Sequence, residues 1–167
     1  ELLGDGGIFR RNENGDTACY QHGTSREKYR EWLAEELEGL GFHVRTNTYE
    51  SDNFTAYKLS TRNYYCLNEI RNRWYPNGTK IVPDGFRLTP VSLRQWFIGD
   101  GGVSTRDSWK RVRLHTEGFD SKSVENLQQA LRWIGVGSTR REEGHLYIPS
   151  RYIDRFYGHM AELPSPL

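Results

Sequence analysis

The chain has 167 residues, of which 35% are hydrophobic and 27% charged, and its formal net charge at pH 7 is +1. This length suits one domain of ordinary size or two small halves that share a core. No apolar run is long enough to span a bilayer and no signal peptide is visible, so we expect an intracellular protein without a membrane partner, cytoplasmic in a prokaryote and otherwise organellar or nuclear. Cys19 and Cys66 lack the spacing of a metal site, and we expect both to be free, buried thiols.

The charges are unevenly distributed along the chain. Residues 103–115 contain four basic side chains and one acidic side chain, whereas residues 26–38 contain five acidic and three basic ones. A separation of this kind can place a basic surface on a protein that is neutral overall. The distribution therefore predicts an anionic partner more clearly than the net charge does.

The first half of the chain, residues 1–74, is predicted to alternate helices with antiparallel hairpins. Its main helix has an apolar residue every three or four positions from Arg26 onwards and ends at Gly41, where a left-handed residue is needed. Thr24 or Ser25 can cap the start of this helix. Turn signals and strand-forming residues predict the other elements: a last helical turn at 1–4, strands at 8–12, 17–22, 43–49 and 54–61, and a helix at 63–74.

Residues 75–87 are a linker by composition, since they contain two Pro-x-Gly turns, and residues 88–167 repeat the order of the first half. Thr89 is expected to cap the next helix, with a proline at its first position. Ser121 is expected to cap a further helix that ends at Gly135. The remaining predicted elements are strands at 103–106, 109–116, 136–141 and 145–149 and a last helix at 151–160.

One short motif occurs twice and divides the chain into two equivalent parts. Leu2-Leu3-Gly4-Asp5-Gly6-Gly7 corresponds to Phe97-Ile98-Gly99-Asp100-Gly101-Gly102, so that the two aspartates are 95 positions apart. Neither half is large enough to bury a sufficient core alone, and glycines let two backbones approach closely. We therefore predict that the two motif segments pack together and bring Asp5 and Asp100 side by side.

Two structural explanations of the repeated aspartate are weaker than a functional one. A carboxylate in the last turn of a helix interacts unfavourably with the helix dipole. A purely structural role would therefore not explain why aspartate occupies this place in both halves. A glycine-rich phosphate loop has a Lys-Ser/Thr pair and follows a strand, whereas this motif lacks the pair and follows a predicted helix. The repeated motif thus indicates one functional carboxylate in each half.

These motifs resemble those of the LAGLIDADG homing endonucleases in their single-chain, two-repeat form. The resemblance implies an α+β fold with two pseudo-symmetric αββαββα halves, in which two four-stranded antiparallel sheets form a saddle on DNA and the helices lie on the outer face. It further implies a monomer with an internal pseudo-dyad. The resemblance rests on both Gly-Asp-Gly-Gly segments, on Leu88-Thr89-Pro90-Val91-Ser92-Leu93, on Trp74-Tyr75 followed by Lys80-Ile81-Val82-Pro83, and on Thr116-Glu117-Gly118-Phe119.

The resemblance also implies a metal-dependent endonuclease that makes a double-strand break at a long, specific DNA target and is encoded by an intron or intein. Asp5 and Asp100 would be the catalytic, metal-binding acids, with Gly4 and Gly99 beside them in the metal site. Mg²⁺, or another divalent cation such as Mn²⁺ or Ca²⁺, would neutralise the phosphodiester and lower the pKa of the attacking water. Lys80 matches a family lysine that activates or orders water, and an ordinary solvated lysine is the alternative.

Two positions match the place where the family often has a polar residue that orders water. His22 (or Gln21) lies at the end of a strand in the first half, and Glu117 lies at the corresponding place in the second half. Glutamate departs from the usual amide at this place. His22 has the alternative role of a capping or surface histidine.

The basic strand residues form the predicted DNA-binding surface. Strand alternation places Lys110 on one face with Val112 and Leu114, of which the last two are expected to face the helices. It directs Arg111, Arg113 and His115 outward, where a two-stranded ribbon can read a major groove. A solvated strand face is the alternative for any single residue, but several arginines on one face indicate an anionic partner. The candidates are Arg10, Arg45, Asn47, Tyr49, Lys110, Arg111, Arg113, His115 and Arg140.

Two other functions fit the same sequence features. One is an RNA maturase or a DNA-binding protein that has lost catalysis, which the loss of one motif acid would favour. The other is a small repeat protein whose Gly-Asp-Gly-Gly turns are only structural, which an absence of salt-dependent DNA binding would favour. The chain retains both acids, so the nuclease is the preferred hypothesis.

Overall fold

The structure, a computed structural model, describes residues 2–12, 14–106, 109–140 and 144–164, excluding the side chains of residues 105, 106 and 109. The chain divides into two compact units, Gly4–Pro76 and Asn77–Glu162, here called the N-terminal and C-terminal units. The turn predicted at 107–108 and the strand residue predicted at 141 lie outside the described residues. Over the described ranges, no helix has both the length and the apolar character that a bilayer-spanning segment requires.

The N-terminal unit is an antiparallel sheet with two helices on one face. The strands are ordered β1-β2-β4-β3, and Leu33 of the first helix packs into a core with Tyr20, Leu59 and Leu67. The other side of the sheet presents exposed polar and basic residues and is here called the N-terminal open face. The elements are β1 (Gly7–Phe9), β2 (Cys19–Thr24), α1 (Glu27–Gly39), β3 (Val44–Ser51), β4 (Phe54–Thr61) and α2 (Tyr65–Trp74).

The C-terminal unit repeats this architecture, with strand order β5-β6-β8-β7. Its core is more completely closed, since Trp96, Leu131, Leu146 and Phe156 are all fully buried. The side of β6 opposite its buried residues is here called the C-terminal open face. The elements are α3 (Pro90–Asp100), β5 (Gly101–Arg106), β6 (Trp109–His115), α4 (Ser121–Trp133), β7 (Thr139–Arg140), β8 (His145–Ile148), a 3-10 turn (Ser150–Tyr152) and α5 (Ile153–His159).

The two antiparallel four-stranded sheets confirm the predicted α+β class. The predicted helix ends are also confirmed, because Gly41 and Gly135 have φ angles of 87° and 74°, which glycine adopts without steric cost. Residues Leu2–Asp5 form turns and no α-helix, so the helical turn predicted at 1–4 is not present over residues 2–4. The helix predicted over 151–160 is divided into a 3-10 turn and a short α-helix.

Two predicted helix caps are displaced by one or two residues. Arg26 is the N-cap of α1, and it has no side-chain cap; the Thr24 hydroxyl oxygen accepts a hydrogen bond from Arg26 N instead. Asp120 rather than Ser121 caps α4, since its carboxylate accepts a hydrogen bond from Ser123 N at 2.7 Å. Aspartate and serine are nearly equivalent caps, so adjacent candidates cannot be ranked by residue type alone.

The prediction of free thiols is confirmed, but the prediction that both are buried is wrong. Cys66 is exposed, and Cys19 is half-buried. Cys66 belongs to the first turn of α2, one residue before the buried Leu67, so it lies beside the apolar stripe rather than in it. Cys19 lies on β2 next to the fully buried Ala18.

Candidate nucleic-acid interface

The second Gly-Asp-Gly-Gly segment joins helix α3 directly to strand β5. Helix α3 begins with the predicted cap, in which Thr89 Oγ1 accepts a hydrogen bond from Ser92 N at 3.1 Å and Ser92 Oγ accepts one from Thr89 N at 2.8 Å. Asp100 is the last helical residue, and Gly101 is the first residue of β5. A Cβ atom on Gly101 would lie 2.3 Å from the carbonyl oxygen of Phe97, so this abrupt transition requires glycine.

The first Gly-Asp-Gly-Gly segment leads into β1, and its aspartate is exposed. Asp5 borders a cleft of about 340 Å³ on the N-terminal open face, together with Gln21, Asn47, Tyr49 and Lys58. Asn47 and Lys58 are directly paired across strands β3 and β4, and Lys58 Nζ lies 4.8 Å from the centre of the Tyr49 ring. A carboxylate is thereby placed beside amide and ammonium groups that can bind phosphate and base edges.

An arginine-rich groove of about 430 Å³ lies on the same open face. Four arginines border it, and among the described residues that line it none is acidic. Gln21 and Ser60, which are paired across β2 and β4, border both this groove and the cleft beside Asp5. Converging guanidinium groups of this kind attract a polyanion such as a nucleic-acid backbone. The arginines are Arg10, Arg11, Arg45 and Arg62.

Arg10, one of the predicted DNA-binding residues, is held by side chains of helix α2. Its Nε donates a hydrogen bond to Asn68 Oδ1 at 2.6 Å, and its Nη2 donates one to Asn72 Oδ1. Both asparagines belong to α2, and Arg10 follows Phe9, the last residue of β1, so alternation no longer controls its direction. Arg10 borders the groove with a guanidinium that the protein itself holds.

Strand β6 has the two faces that its sequence predicts. Val112 and Leu114 are fully buried, whereas Arg111, Arg113 and His115 are half-buried on the C-terminal open face. Arg113 pairs with Gly102 of the motif, and its Nη2 atom would lie only 3.9 Å from a Cβ there. An arginine is therefore placed next to the segment that contains Asp100. Lys110, near the start of β6, is exposed.

Two of the predicted DNA-binding residues of this unit do not share the open face. Lys110 alternates with the buried Val112, so it lies on the helix-facing side of β6. Arg140 is the second exception. It pairs with the fully buried Leu146, so it shares the helix-facing side of the sheet. Its Nη1 atom donates a hydrogen bond to Ser121 Oγ in α4 at 3.4 Å. The assignment of Arg140 to the open face is therefore corrected: the two-residue strand β7 presents it to α4 instead.

His22 is neither a surface residue nor a cap. Its side chain is only 4% exposed, and its ring packs edge-to-face on Tyr29 of α1 with 5.6 Å between the centroids. The reason is strand alternation, because His22 shares the buried side of β2 with Tyr20. Its neighbour Gln21, the alternative at this position, is exposed and borders the cleft beside Asp5. His22 also borders this cleft, so the water-ordering role predicted for His22 or Gln21 stays a prediction.

Lys80 belongs to a segment that is attached to helix α4. Val82 N donates a hydrogen bond to Ser123 Oγ at 2.9 Å, and the Asn126 side chain donates one to the Val82 carbonyl at 2.9 Å. Lys80 itself is half-buried, with Nζ 5.6 Å from the centre of the Phe119 ring. Its backbone is thus positioned by neighbouring contacts, and its predicted role near the metals stays a prediction.

Glu117 lies between two histidines at the end of the β6–β8 ladder. Its Oε1 atom is 3.2 Å from His115 Nδ1 and 3.0 Å from His145 Nδ1. Partial burial raises the pKa of Glu117, but a backbone N–H hydrogen bond, the hydrogen bond from His115 and the nearby His145 together hold it below the ordinary value. The carboxylate is therefore anionic and belongs to a cluster with His115, which was predicted only as a DNA-binding residue.

Several residues of these surfaces were not predicted from the sequence. Lys58 and Ser60 follow the same alternation on β4, and pairing β4 with β3 would have identified Lys58 as a neighbour of Asn47. Arg11 and Arg62 lie just beyond strand ends, where alternation gives no signal. His145 is the first residue of the strand predicted at 145–149, and its importance depends on a partner from another strand.

Two duplicated α+β units, each with an aspartate motif leading into an antiparallel sheet, define a two-repeat protein of the LAGLIDADG type. The chain belongs to the LAGLIDADG DNA endonuclease family, whose model matches residues 1–156. The resemblance deduced from the motifs is therefore confirmed.

Among curated proteins, the chain is 29% identical to the uncharacterised protein MJ1098 of Methanocaldococcus jannaschii, over 93% of this chain and 60% of that protein. It is 32% identical to the cytochrome b mRNA maturase bI2 of Debaryomyces hansenii, over 78% of this chain and 52% of that protein. A RecA protein of Mycolicibacterium chitae is 25% identical, with 33% of its length covered. The chain thus spans between a third and three fifths of these relatives.

Among solved structures, the homing endonuclease I-DmoI has the same fold. Its complex with DNA and Mn gives a TM-score of 0.58 at 16% identity, covering 97% of this chain and 96% of that chain. Its complex with DNA and Ca gives a TM-score of 0.54 at 17% identity, covering 98% and 91%. At this level of identity the likeness shows the fold alone.

Proposed function

We propose that the protein is a homing endonuclease that makes a site-specific double-strand break in DNA by divalent-metal-dependent hydrolysis of phosphodiesters. The main support is the position of Asp5 beside an open face that combines the amides of Gln21 and Asn47 with a groove bordered by four arginines. A carboxylate that can bind a metal and a surface that can bind phosphates are the two requirements of a metal-dependent nuclease. The complexes of I-DmoI with DNA and Mn or Ca agree with this proposal.

The metal-binding roles are proposed for the two motif aspartates. Carboxylate oxygens are the ligands that Mg²⁺ prefers, and one carboxylate per repeat leaves positions for water and phosphate oxygens, so the residues fit such an ion. Gly4 and Gly99 precede these aspartates in the same segments. A bound ion would neutralise the phosphodiester and lower the pKa of a water molecule. The predicted approach of Asp5 to Asp100 is part of this proposal.

The remaining roles follow from the open faces. Arg45, Arg111 and Arg113 suit phosphate or guanine contacts, and Asn47 suits an adenine edge. Tyr49 extends the N-terminal open face, and the exposed Lys110 is proposed to contact a phosphate from the edge of β6. Gln21 in the first repeat is proposed to order water, and Lys80 to hold a water or phosphate near the metals. These residues bind and orient the DNA around the motif aspartates.

Cleavage of a randomised plasmid library in Mg²⁺, with sequencing of the ends, tests the proposal. The wild-type protein is expected to cut at one long consensus, and Asp5→Asn and Asp100→Asn are each expected to abolish the double-strand break while leaving DNA binding. Asp52→Asn is the matched control, because Asp52 is an exposed aspartate in the turn between β3 and β4. Full cleavage by both motif variants would reject the proposed active site.

An RNA maturase is the second candidate, because one relative bears that name and is 32% identical over 78% of this chain. The same basic face would then bind a folded intron, and the motif aspartates would be dispensable for splicing. Intron splicing assays with the wild-type protein and with Asp5→Asn distinguish the two functions. Encoding within an intron or intein, and a monomeric state in solution, are further parts of the nuclease proposal.

A further inference from the structure

The C-terminal unit contains a cluster of three potential metal ligands, none of which belongs to an aspartate motif. His115 ends strand β6, Glu117 follows it, and His145 begins strand β8 as the directly paired partner of His115. The three ligand atoms lie within 4.8 Å of one another. These residues are here called the His–Glu cluster.

Hydrogen bonding leaves this cluster incompletely satisfied. The His115 ring shares a hydrogen bond with Glu117 Oε1 at 3.2 Å. His145 Nδ1 is closer to the same oxygen, at 3.0 Å, yet its orientation makes no hydrogen bond with any group that the structure describes. The side chain of His145 is only 11% exposed, so water has little access to it. A buried imidazole nitrogen in this state requires another partner.

Two of the three spacings in the cluster match those around a single metal ion. Zn²⁺ lies about 2.0–2.2 Å from imidazole nitrogen and carboxylate oxygen, so tetrahedral ligand atoms are separated by roughly 3.3 Å. The distances of 3.0 and 3.2 Å from Glu117 Oε1 to the two Nδ1 atoms are near this value. Both histidines thus place the same ring nitrogen, Nδ1, within 3.2 Å of one carboxylate oxygen.

The cluster is held in place by its neighbours. Gly144, directly before His145, has a φ angle of 79°. A Cβ on Gly144 would lie 2.9 Å from Glu117 Cγ, and Thr116 Oγ1 donates a hydrogen bond to the Gly144 carbonyl. Gly144 is therefore packed against the Glu117 side chain. A ligand set supported in this way needs little rearrangement to bind an ion.

The cluster belongs to one repeat only. Gly7 pairs with Gln21, and the equivalent Gly102 pairs with Arg113, so the ladder positions of the two sheets can be matched. On this basis His115 and its partner His145 correspond to the cross-strand pair Gly23 and Lys58. The N-terminal unit thus has no imidazole at either position, whereas the motif aspartate is present in both repeats.

We propose that His115, Glu117 and His145 bind one divalent ion of the zinc class. Two imidazoles and one carboxylate suit Zn²⁺ and Co²⁺, whereas Mg²⁺ prefers ligand sets made of oxygen atoms. Three protein ligands leave one coordination position open for water or another oxygen ligand. The site is therefore distinct, in both ligands and metal, from the Mg²⁺ site proposed at the aspartates.

Metal titration of the full chain tests this proposal. Zn²⁺ binding is measured by calorimetry in a large excess of Mg²⁺, and Co²⁺ binding by the visible absorption of a tetrahedral site. We expect one Zn²⁺ per chain and a rise in Tm on binding. Glu117→Gln is the main variant, since this half-exposed side chain keeps its size, and His115→Asn is the second. Each should weaken Zn²⁺ binding by at least about 10–100-fold.

Two controls separate this site from other ligands. His43→Asn removes an exposed histidine elsewhere, and Asp5→Asn combined with Asp100→Asn removes the motif acids. Both should leave Zn²⁺ affinity and the Co²⁺ spectrum unchanged. Equal Zn²⁺ binding by wild type, Glu117→Gln and His115→Asn would overturn the proposal, and so would loss of Zn²⁺ binding in Mg²⁺ or in the aspartate variant. Because metal binding alone is measured, an inactive nuclease would not affect the outcome.

Discussion

Replacing Gly101 with alanine tests how the second motif is joined to its sheet. The new Cβ atom would lie 2.3 Å from the carbonyl oxygen and 2.7 Å from the Cα atom of Phe97. Both are backbone atoms of α3, so no side-chain rotation relieves the overlap, and the helix end or the first residue of β5 must move. Overpacking of this kind costs about 2 kcal/mol, which lowers the Tm of a chain of this length by roughly 4–8 °C.

Gly102→Ala is the matched control within the same motif. A Cβ atom at Gly102 would meet only Arg113 Nη2, at 3.9 Å, which is an ordinary contact. Thermal unfolding followed by circular dichroism should therefore show the lowered Tm for Gly101→Ala. The Tm of the control should lie within about one or two degrees of wild type, because uncrowded substitutions change the free energy of unfolding by about 0.5 kcal/mol or less. If the two variants had equal Tm values, the close approach of α3 and β5 would not be the reason for this glycine.

Three further predictions concern helix caps and the basic surface. Thr89→Ala removes the side-chain acceptor of the α3 cap and should cost about 1 kcal/mol in urea unfolding, with Thr89→Ser restoring most of the loss. The Asp120 carboxylate accepts hydrogen bonds from the backbone N–H of Ser123, which has the larger effect, and from the Ser123 hydroxyl, and both lower the pKa of Asp120. The stabilisation by Asp120 is therefore present above about pH 4 and is lost as the pH falls through the lowered pKa. The difference in unfolding free energy between wild type and Asp120→Ala should therefore become smaller in acid. A difference that is independent of pH would contradict this prediction. Arg45→Ala should weaken DNA binding and reduce the slope of log K against log salt by about 0.9. Arg140→Ala should leave this slope unchanged, because the Arg140 side chain contacts α4. Equal slopes for the two variants would refute this assignment of faces.

Local sequence signals predicted the elements that depend only on neighbouring residues. Gly41 and Gly135 end their helices with positive φ angles because no other residue adopts that backbone conformation as readily. Thr89 caps α3 because its hydroxyl reaches an amide three residues ahead. Each of these features is decided within one helical turn, so a single sequence is sufficient to predict it.

One of the wrongly placed side chains could have been predicted from local alternation, whereas two others depend on nonlocal contacts. His22 could have been assigned correctly, because it alternates with Tyr20, and a buried tyrosine implies a buried histidine on the same strand face. Arg140 could not, because its two-residue strand has no alternation of its own and its direction depends on pairing with Leu146. Arg10 follows the end of β1, and the two asparagines that hold it lie on α2, far along the sequence.

The duplicated motif predicts two equivalent halves, but the strand ladders show that equivalent positions differ in chemistry. Gln21 in the first repeat corresponds to Arg113 in the second, and the pair Gly23 and Lys58 corresponds to His115 and His145. An amide and an ammonium group therefore take the places of a guanidinium and an imidazole. Different hydrogen-bonding groups select different base pairs. If the protein binds DNA with both open faces, as proposed, its target should have two unlike half-sites, and a palindromic consensus from the library experiment would contradict this conclusion.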